Sequence, residues 1–447
     1  MMLAPLRHPA FRALFAAQIV ALAGTGLTTV ALGLLAFELA GADAGAVLGT
    51  ALAIKMIAYV GVAPFARAFL ERLPSRGVLI ALDLIRAVIA ASLVFVGEIW
   101  QIYALIFLLQ SASAAFTPTF QAVIPEILTD ERDYTSALSL SRLAYDLESL
   151  VSPVLVAVLL TVIPFHGLFA GTAIGFLGSA GLVMTCRFPP SVRMRADDPF
   201  WTRATRGLRI FVATPRLRGL LALNLTIAAC GSLVLVNTVV FVRDHFALGS
   251  DQVAIALAAF GAGSMVSALA LPRLLDRVRD RSVMLAGGGL GPVLAAGFGL
   301  FWIRDAVSFA GFLGVWFALG LTYSAVMTPS GRLLRRSADA ANRPSIFAAQ
   351  FALSHGCWLI AYPLAGFTGA EWGLAESAFA LAFLGAVGFG LALWLWPANL
   401  PRELPHLHTD LAPDHPHVQN AERTERGFHH SHVFLVDSLH RQWPTQG

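Results

Sequence analysis

Runs of apolar residues, separated by short polar turns, recur from residue 13 to residue 396. A helix rises about 1.5 Å per residue, so ~20 such residues cross the ~30 Å hydrocarbon core of a bilayer. The pattern predicts twelve spans: 13–37, 46–69, 78–97, 101–124, 137–162, 165–186, 219–241, 251–272, 283–303, 306–328, 345–368 and 375–396. Long stretches of strict apolar–polar alternation, which a membrane β-barrel requires, do not occur. Helices are the remaining way to satisfy backbone polar groups in lipid. The expected fold is therefore an all-α membrane protein with twelve transmembrane helices. Residues 1–12 lead into a span too long and too polar at its start for a cleaved signal, so the first span is read as a retained helix.

Composition agrees with the pattern. The chain is 57% hydrophobic and 13% charged, against roughly 25% charged in soluble proteins. The three cysteines, Cys186, Cys230 and Cys357, all fall within or at the end of spans, and nothing suggests a disulfide framework. With residues 1–12 in the cytoplasm, the cytoplasmic segments hold 26 of the 31 basic residues, whereas the outward loops hold Arg243 and Arg304. This is a strong positive-inside bias, and it places both termini in the cytoplasm. It also accounts for the net charge of +4 without nucleic acid. The expected partners are the bilayer, a transported metal ion or small molecule, and protons. The basic segment 187–218 carries no base-reading motif and suits anionic lipid. A Gly-rich, lysine-containing nucleotide loop is absent, which argues against an ATP-driven pump; a transporter rather than an enzyme is expected.

The chain is written twice. The longest non-spanning segment of the body, 187–218, divides it into an N-terminal six-helix half (1–186) and a C-terminal six-helix half (219–396). Glu71-Arg72-Leu73-Pro74-Ser75-Arg76 follows span two, and Asp276-Arg277-Val278-Arg279-Asp280-Arg281 follows span eight, 205 residues later. Thr117-Pro118 of span four is echoed by Thr328-Pro329 of span ten, and Pro153 of span five by Pro363 of span eleven. Internal duplication about a cytoplasmic connection is the mark of transporters whose halves rock around a central site.

On these residues the chain resembles a major facilitator superfamily permease over 1–396. The acidic-Arg-x-x-x-Arg loops are similar to that family's cytoplasmic signature. The resemblance implies that Glu71, Arg72 and Arg76, with Asp276, Arg277 and Arg281, hold an inner gate. Three positions depart from the family pattern. Arg67 stands where the first signature copy begins with glycine, span four lacks the arginine of many proton-coupled members, and span five has Ser152-Pro153 for Gly-Pro.

Ionisable residues within spans are costly and face an interior cavity or a partner. Lys55, the only lysine of the chain, lies well inside span two. It reads either as a salt-bridged structural cation or as a group that binds anions and repels cations. Asp83 and Arg86, spaced i, i+3 at the start of span three, share a helix face and read as part of the gate. In span five Asp146 can pair with Arg142, or one of Asp146 and Glu148 carries protons. These two carboxylates point about 200° apart, so both cannot face one small cavity. His355 and Cys357 lie in span eleven, and with one of these carboxylates they would form a carboxylate–imidazole–thiol set for Ni²⁺, Co²⁺ or Zn²⁺. Gln18, Thr25, Gln110, Ser113, Asn224, Thr322 and Tyr323 are uncharged cavity candidates, or simply bond helix to helix.

Eight of the twelve histidines lie in the last 47 residues. Pro397, Pro401 and Pro405 exclude continuous helix where this segment, 397–447, begins, so the tail is expected to be largely disordered, as flexible or polyproline-like cytoplasmic chain. Its histidines come as His406-x-His408, His415-Pro-His417 and His429-His430-x-His432. Alternate residues of an extended chain point the same way, so each His-x-His offers a bidentate face to a divalent metal. Solvated tail with incidental histidine, or a docking segment built on Val433-Phe434-Leu435-Val436, Leu439 and Trp443, are the alternatives; docking is compatible with metal binding. No other cofactor is expected.

The tail, the Leu6-Arg7-His8-Pro9-Ala10-Phe11-Arg12 start and Ala115-Phe116-Thr117-Pro118 resemble the bacterial nickel-resistance permeases of the NreB kind, with siderophore and drug exporters as neighbours. This resemblance implies proton-coupled metal efflux across a bacterial inner membrane. Efflux of an organic molecule by the same fold is the first alternative, and a metal-responsive membrane sensor the second.

Overall fold

The computed structural model describes residues 4–62, 73–128, 130–186, 200–275, 277–338, 342–400, 403–409, 411–412, 415–419, 421–424, 426–436, 439–440 and 443. Helices α1 (Pro9–Ala40), α2 (Ala44–Ile57), α3 (Ser75–Ser92), α4 (Ile99–Ile127), α5 (Glu131–Leu159) and α6 (His166–Thr185) build the first half. A connecting helix, α7 (Phe200–Ala213), follows. The second half consists of α8 (Pro215–Val240), α9 (Ser250–Leu275), α10 (Asp280–Ile303), α11 (Phe309–Arg335), α12 (Arg343–Glu371) and α13 (Leu374–Leu395).

Each expected span overlaps one of these helices, the second only as far as Val62 because 63–69 lie outside the described residues; α7, in the 187–218 connection, was not foreseen. Among the described residues, nine helical stretches are long and apolar enough to cross a membrane, and one of them, Pro9–Val62, contains both α1 and α2. The remaining two membrane helices, α5 and α12, have 29 residues each, about 44 Å of helix and more than a bilayer's thickness. Large apolar side chains such as Phe95, Phe383 and Trp394 are 85%, 72% and 76% exposed. In water such a surface would drive aggregation; here it is the lipid-facing perimeter.

Among the described residues, the two most extensive contacts between the halves are α2 against α12 and α5 against α9; α8 also touches α1 and α2. The internal repeat exchanges span two with eight and span five with eleven, so each contact is the other's symmetry counterpart. The α2–α12 crossing uses small residues. A Cβ on Gly49 would lie 2.6 Å from the Tyr362 carbonyl, and one on Gly366 would lie 2.4 Å from the Gly45 carbonyl. Only glycine permits this approach, the small-xxx-small packing of membrane helices. These residues lie toward the end of the bundle remote from both termini. Beyond Ile57, α2 relaxes into a π-helical turn, Ala58–Val62, which turns Tyr59 toward α12.

The tail differs from its expectation as flexible chain. It forms a three-stranded antiparallel sheet, β1 (Glu403–His408), β2 (Glu422–Thr424) and β3 (Gly427–Val433), in the order β1-β3-β2. Proline excluded helix correctly but does not exclude an edge strand. Pro405 sits in β1, which pairs on one side only. Gly427 opens β3 at φ 139°, and a Cβ there would lie 2.1 Å from the His408 carbonyl, so β1 and β3 close only over glycine.

Candidate metal centre and membrane cavity

Strand register builds the tail site. Residues directly opposed in an antiparallel pair share a face. His406 faces His430, Leu404 faces His432 and His408 faces Phe428, which puts four histidines on one face of the sheet. His417, from the turn Pro416–Val418, and His440, beyond β3, complete the ring. His406 Nε2 lies 3.1 Å from both His408 Nε2 and His430 Nε2 and 3.0 Å from His440 Nε2. His440 Nε2 is 3.3 Å from His408 Nε2, and His432 Nε2 is 3.3 Å from His417 Nε2. Donor atoms of His406, His417, His430, His432 and His440 all lie within 4.8 Å of one another.

Metal–nitrogen bonds of about 2.1 Å set neighbouring donors roughly 3.0 Å apart in an octahedron and roughly 3.4 Å apart in a tetrahedron. The closest spacings, 3.0–3.3 Å, match neighbouring donors around a shared ion, and the widest, 4.8 Å, exceeds the ~4.2 Å between opposite donors of an octahedron. Burial, with the neighbouring imidazoles adding to it, pushes His408 and His430 down to about 4. Both rings are thus neutral at physiological pH, the form a metal ligand requires.

Two of the expected ligands stand apart. His429 pairs with Leu407 on the opposite face of the sheet. His415 caps the turn, its Nδ1 accepting the His417 backbone N–H at 3.2 Å. His440 was missing from the expected ligand set because it has no His-x-His partner; only folding brings it in.

The membrane cavity gathers fewer of the expected groups. Lys55 lines a pocket with Thr25, Thr28, Thr29, Gln110 and Phe176. Its ammonium lies 6.0 Å from the Tyr59 ring and within electrostatic reach of Glu148 and His355. Glu148 is hydrogen-bonded to Ser152. His355 Nδ1 is 2.6 Å from the Phe351 carbonyl, and its ring lies against Phe351 and Tyr59. Lys55 and Glu148 from the first half and His355 from the second therefore form one electrostatic group. Cys357 points elsewhere, toward the Leu221 carbonyl of α8 at 3.9 Å, so the carboxylate–imidazole–thiol set is not assembled. The side chains of Asp146 and Arg142 lie outside the described residues. The Gln18 amide is 4% exposed and lies within hydrogen-bonding reach of Tyr145, whereas the Asn224 amide, 1% exposed, has no hydrogen-bond partner among the described residues.

At the termini end, Glu71, Arg72 and Asp276 lie outside the described residues. Arg76 donates to the Met184 carbonyl of α6. Arg281 donates to the Trp396 carbonyl at 3.0 and 2.8 Å, and Arg277 is exposed to solvent. Asp280, not singled out in the sequence, pairs with Arg332 at 3.3 Å and Arg336 at 3.0 Å. It occupies the position of Ser75 in the first copy, and that departure from the repeat was the available signal. Asp83 pairs with Arg86 and accepts from Ser179 at 2.7 Å, while the Arg86 guanidinium lies between Phe116 and Phe176 at 4.0 and 4.4 Å. Both residues are buried, which suits a structural charge pair.

Duplicated six-helix halves around a central group of charges define a membrane transporter rather than an enzyme. The sequence profile of the Major Facilitator Superfamily matches residues 14–290 and 220–435, and the chain belongs to that family. No curated protein sequence matches it. Among solved structures it is similar to the nucleoside transporter NupG (TM-score 0.65, 14% identity, 86% of this chain and 98% of that one). It is also similar to an inward-facing bacterial homologue of the lysosomal transporter Spinster (0.64, 13%, 88% and 97%) and to a D-xylose–proton symporter (0.63, 14%, 86% and 97%). At such identities the likeness concerns the fold.

Proposed function

We propose that this protein is a secondary active exporter of divalent metal, Ni²⁺ or Co²⁺, driven by protons across a bacterial inner membrane. The observation that carries the reading is the convergence of six imidazoles at the end of the bundle that holds both termini. The positive-inside bias assigns that end to the cytoplasm, where an exporter collects its cargo. Six nitrogen donors exceed the four places of a tetrahedral zinc site and suit ions that accept octahedral nitrogen ligation. Glu148, beside Lys55 and His355, is the candidate proton carrier. When protonated it leaves Lys55 without its counter-charge, and when ionised it neutralises that lysine for a passing cation.

The test is growth of a metal-sensitive bacterium expressing the full chain under Ni²⁺, Co²⁺, Zn²⁺ and a drug panel, with proton-driven Ni²⁺ uptake into everted vesicles. Protection against Ni²⁺ or Co²⁺ with vesicle uptake is expected. Drug protection without metal protection would overturn the metal reading. It would favour instead an anionic organic substrate, for which Lys55 among Thr25, Thr28, Thr29 and Gln110 is the specific support.

A further inference from the structure

The tail sheet rests on the transporter body. Leu404, Phe434 and Val436 are 4% exposed or less. They share one apolar cluster with Phe211 of α7, Leu217 of α8 and Ile346 of α12, and Trp443 packs against the same cluster. One side chain serves both surfaces. The Phe434 ring lies 5.2 Å from His406 and 4.8 Å from His440 on one side, and 5.2 Å from Trp443 on the other.

Beyond Trp443 the contacts lead to the second copy of the signature. The Arg216 guanidinium lies 5.5 Å from the Trp443 ring. Arg216 donates to Ser337 Oγ at 2.8 Å and to the Arg336 carbonyl at 3.0 Å. The side chain of Arg336 holds Asp280 at the start of α10. Arg281, next along, fixes the Trp396 carbonyl immediately before the tail begins.

We propose that the histidine cluster is an effector site. A divalent cation bound there clamps Phe434 and Trp443 onto the ends of α7, α8 and α11 and so stiffens the gate side of the C-terminal half. This rests on the reading that the tail binds metal, but not on that metal being the cargo. The physical basis is the origin of the ligands. They come from β1 and β3, already paired in the sheet, from the 416–418 turn and from the segment beyond β3, so one ion ties the sheet to two further pieces of chain. A ligand that favours the docked arrangement is itself bound more tightly by it, so clamp and metal affinity are linked reciprocally.

The experiment uses the full chain in lipid nanodiscs, with NiCl₂ as probe and two readouts. One is bound Ni²⁺ by equilibrium dialysis. The other is amide hydrogen exchange in 206–213 and 333–338, segments that hold no ligand. At ~100 times its dissociation constant, Ni²⁺ slows exchange through any opening that releases it by up to ~100-fold. Slowing in both segments is expected for the unaltered chain. The F434A/W443A double variant should bind Ni²⁺ more weakly, still fill the site at saturating NiCl₂ and lose the slowing, and H406A/H440A should lose both binding and slowing. Ni²⁺ bound with unchanged exchange in 206–213 and 333–338 overturns the clamp and leaves the tail as a metal site. No bound Ni²⁺ overturns both the clamp and the metal-binding tail. Metal-driven slowing without vesicle flux of Ni²⁺ keeps the clamp and overturns metal export.

Discussion

At the scale of single residues, the histidines divide by position rather than by number. His406 and His440 lie at the centre of the ring contacts, whereas His429 points away. His406→Ala is expected to weaken Ni²⁺ binding by at least ~10- to 100-fold, the loss that even an outer-shell partner brings. His429→Ala should bind as the parent does. Equilibrium dialysis distinguishes the two, and equal losses would remove the ring as the site. The pH dependence follows from His408 and His430, held near 4 when folded against about 6.5 for a free imidazole. A depressed histidine keeps the folded tail stable while neutral, and the unfolded chain gains protons first as pH falls. Stability of the metal-free sheet is therefore full above pH ~6.5 and lost between there and ~4. Exchange of the β3 amides followed across this window measures it; loss beginning above pH 7 would contradict the assignment. In the membrane, Glu148→Gln should abolish proton-driven flux and spare substrate exchange between the two sides, measured by counterflow in vesicles. Intact proton-driven flux would exclude Glu148 as the carrier.

At the scale of elements, strand and helix contacts depend on glycine, and the α2–α12 crossing is one such place. Gly366→Ala places a methyl against the Gly45 backbone, where neither partner has a flexible end to move. Overpacking of this kind costs about 1–3 kcal/mol. It should lower the melting temperature of the purified protein and loosen the α2–α12 end; an unchanged melt would show that the helices separate there freely. The elements were unevenly legible from the chain. Spans announce themselves because the bilayer fixes both their length and their apolarity. The connecting helix α7 escaped because it is short and carries Arg203, Arg206 and Arg209, which read as a basic linker. The sheet escaped because Pro397, Pro401 and Pro405 were read for what they forbid in a helix, whereas an edge strand accepts Pro405. Alternation puts His406 with His408 and His430 with His432 on one face of the sheet, and it also explains why His429 stands apart.

At the scale of the whole molecule, the two most extensive inter-half contacts, α2–α12 and α5–α9, are the axes about which rocking halves would move. Lys55 and Glu148 belong to one half and His355 to the other, so their separation changes whenever the halves move. That grouping was only half visible beforehand. The sequence marked each charge as costly, but which of Asp146 and Glu148 faces His355, and whether Cys357 joins it, depends on helix rotation; Glu148 is the one within reach, and Cys357 turned toward α8. Deleting 401–447 is expected to reduce metal tolerance of cells without abolishing vesicle flux, because the spans and their charges remain. Unchanged tolerance in a growth assay would make the tail dispensable.

The inward convergence of six rings has a practical consequence at the purification bench. A chelating resin leaves its nickel only a few open coordination places, which suits a flexible run of histidines on a surface. A preformed cage with six donors competes for the whole ion. The untagged protein should therefore leave such a column carrying nickel stripped from it, and the eluate, more than the retention time, would report on how the tail is folded.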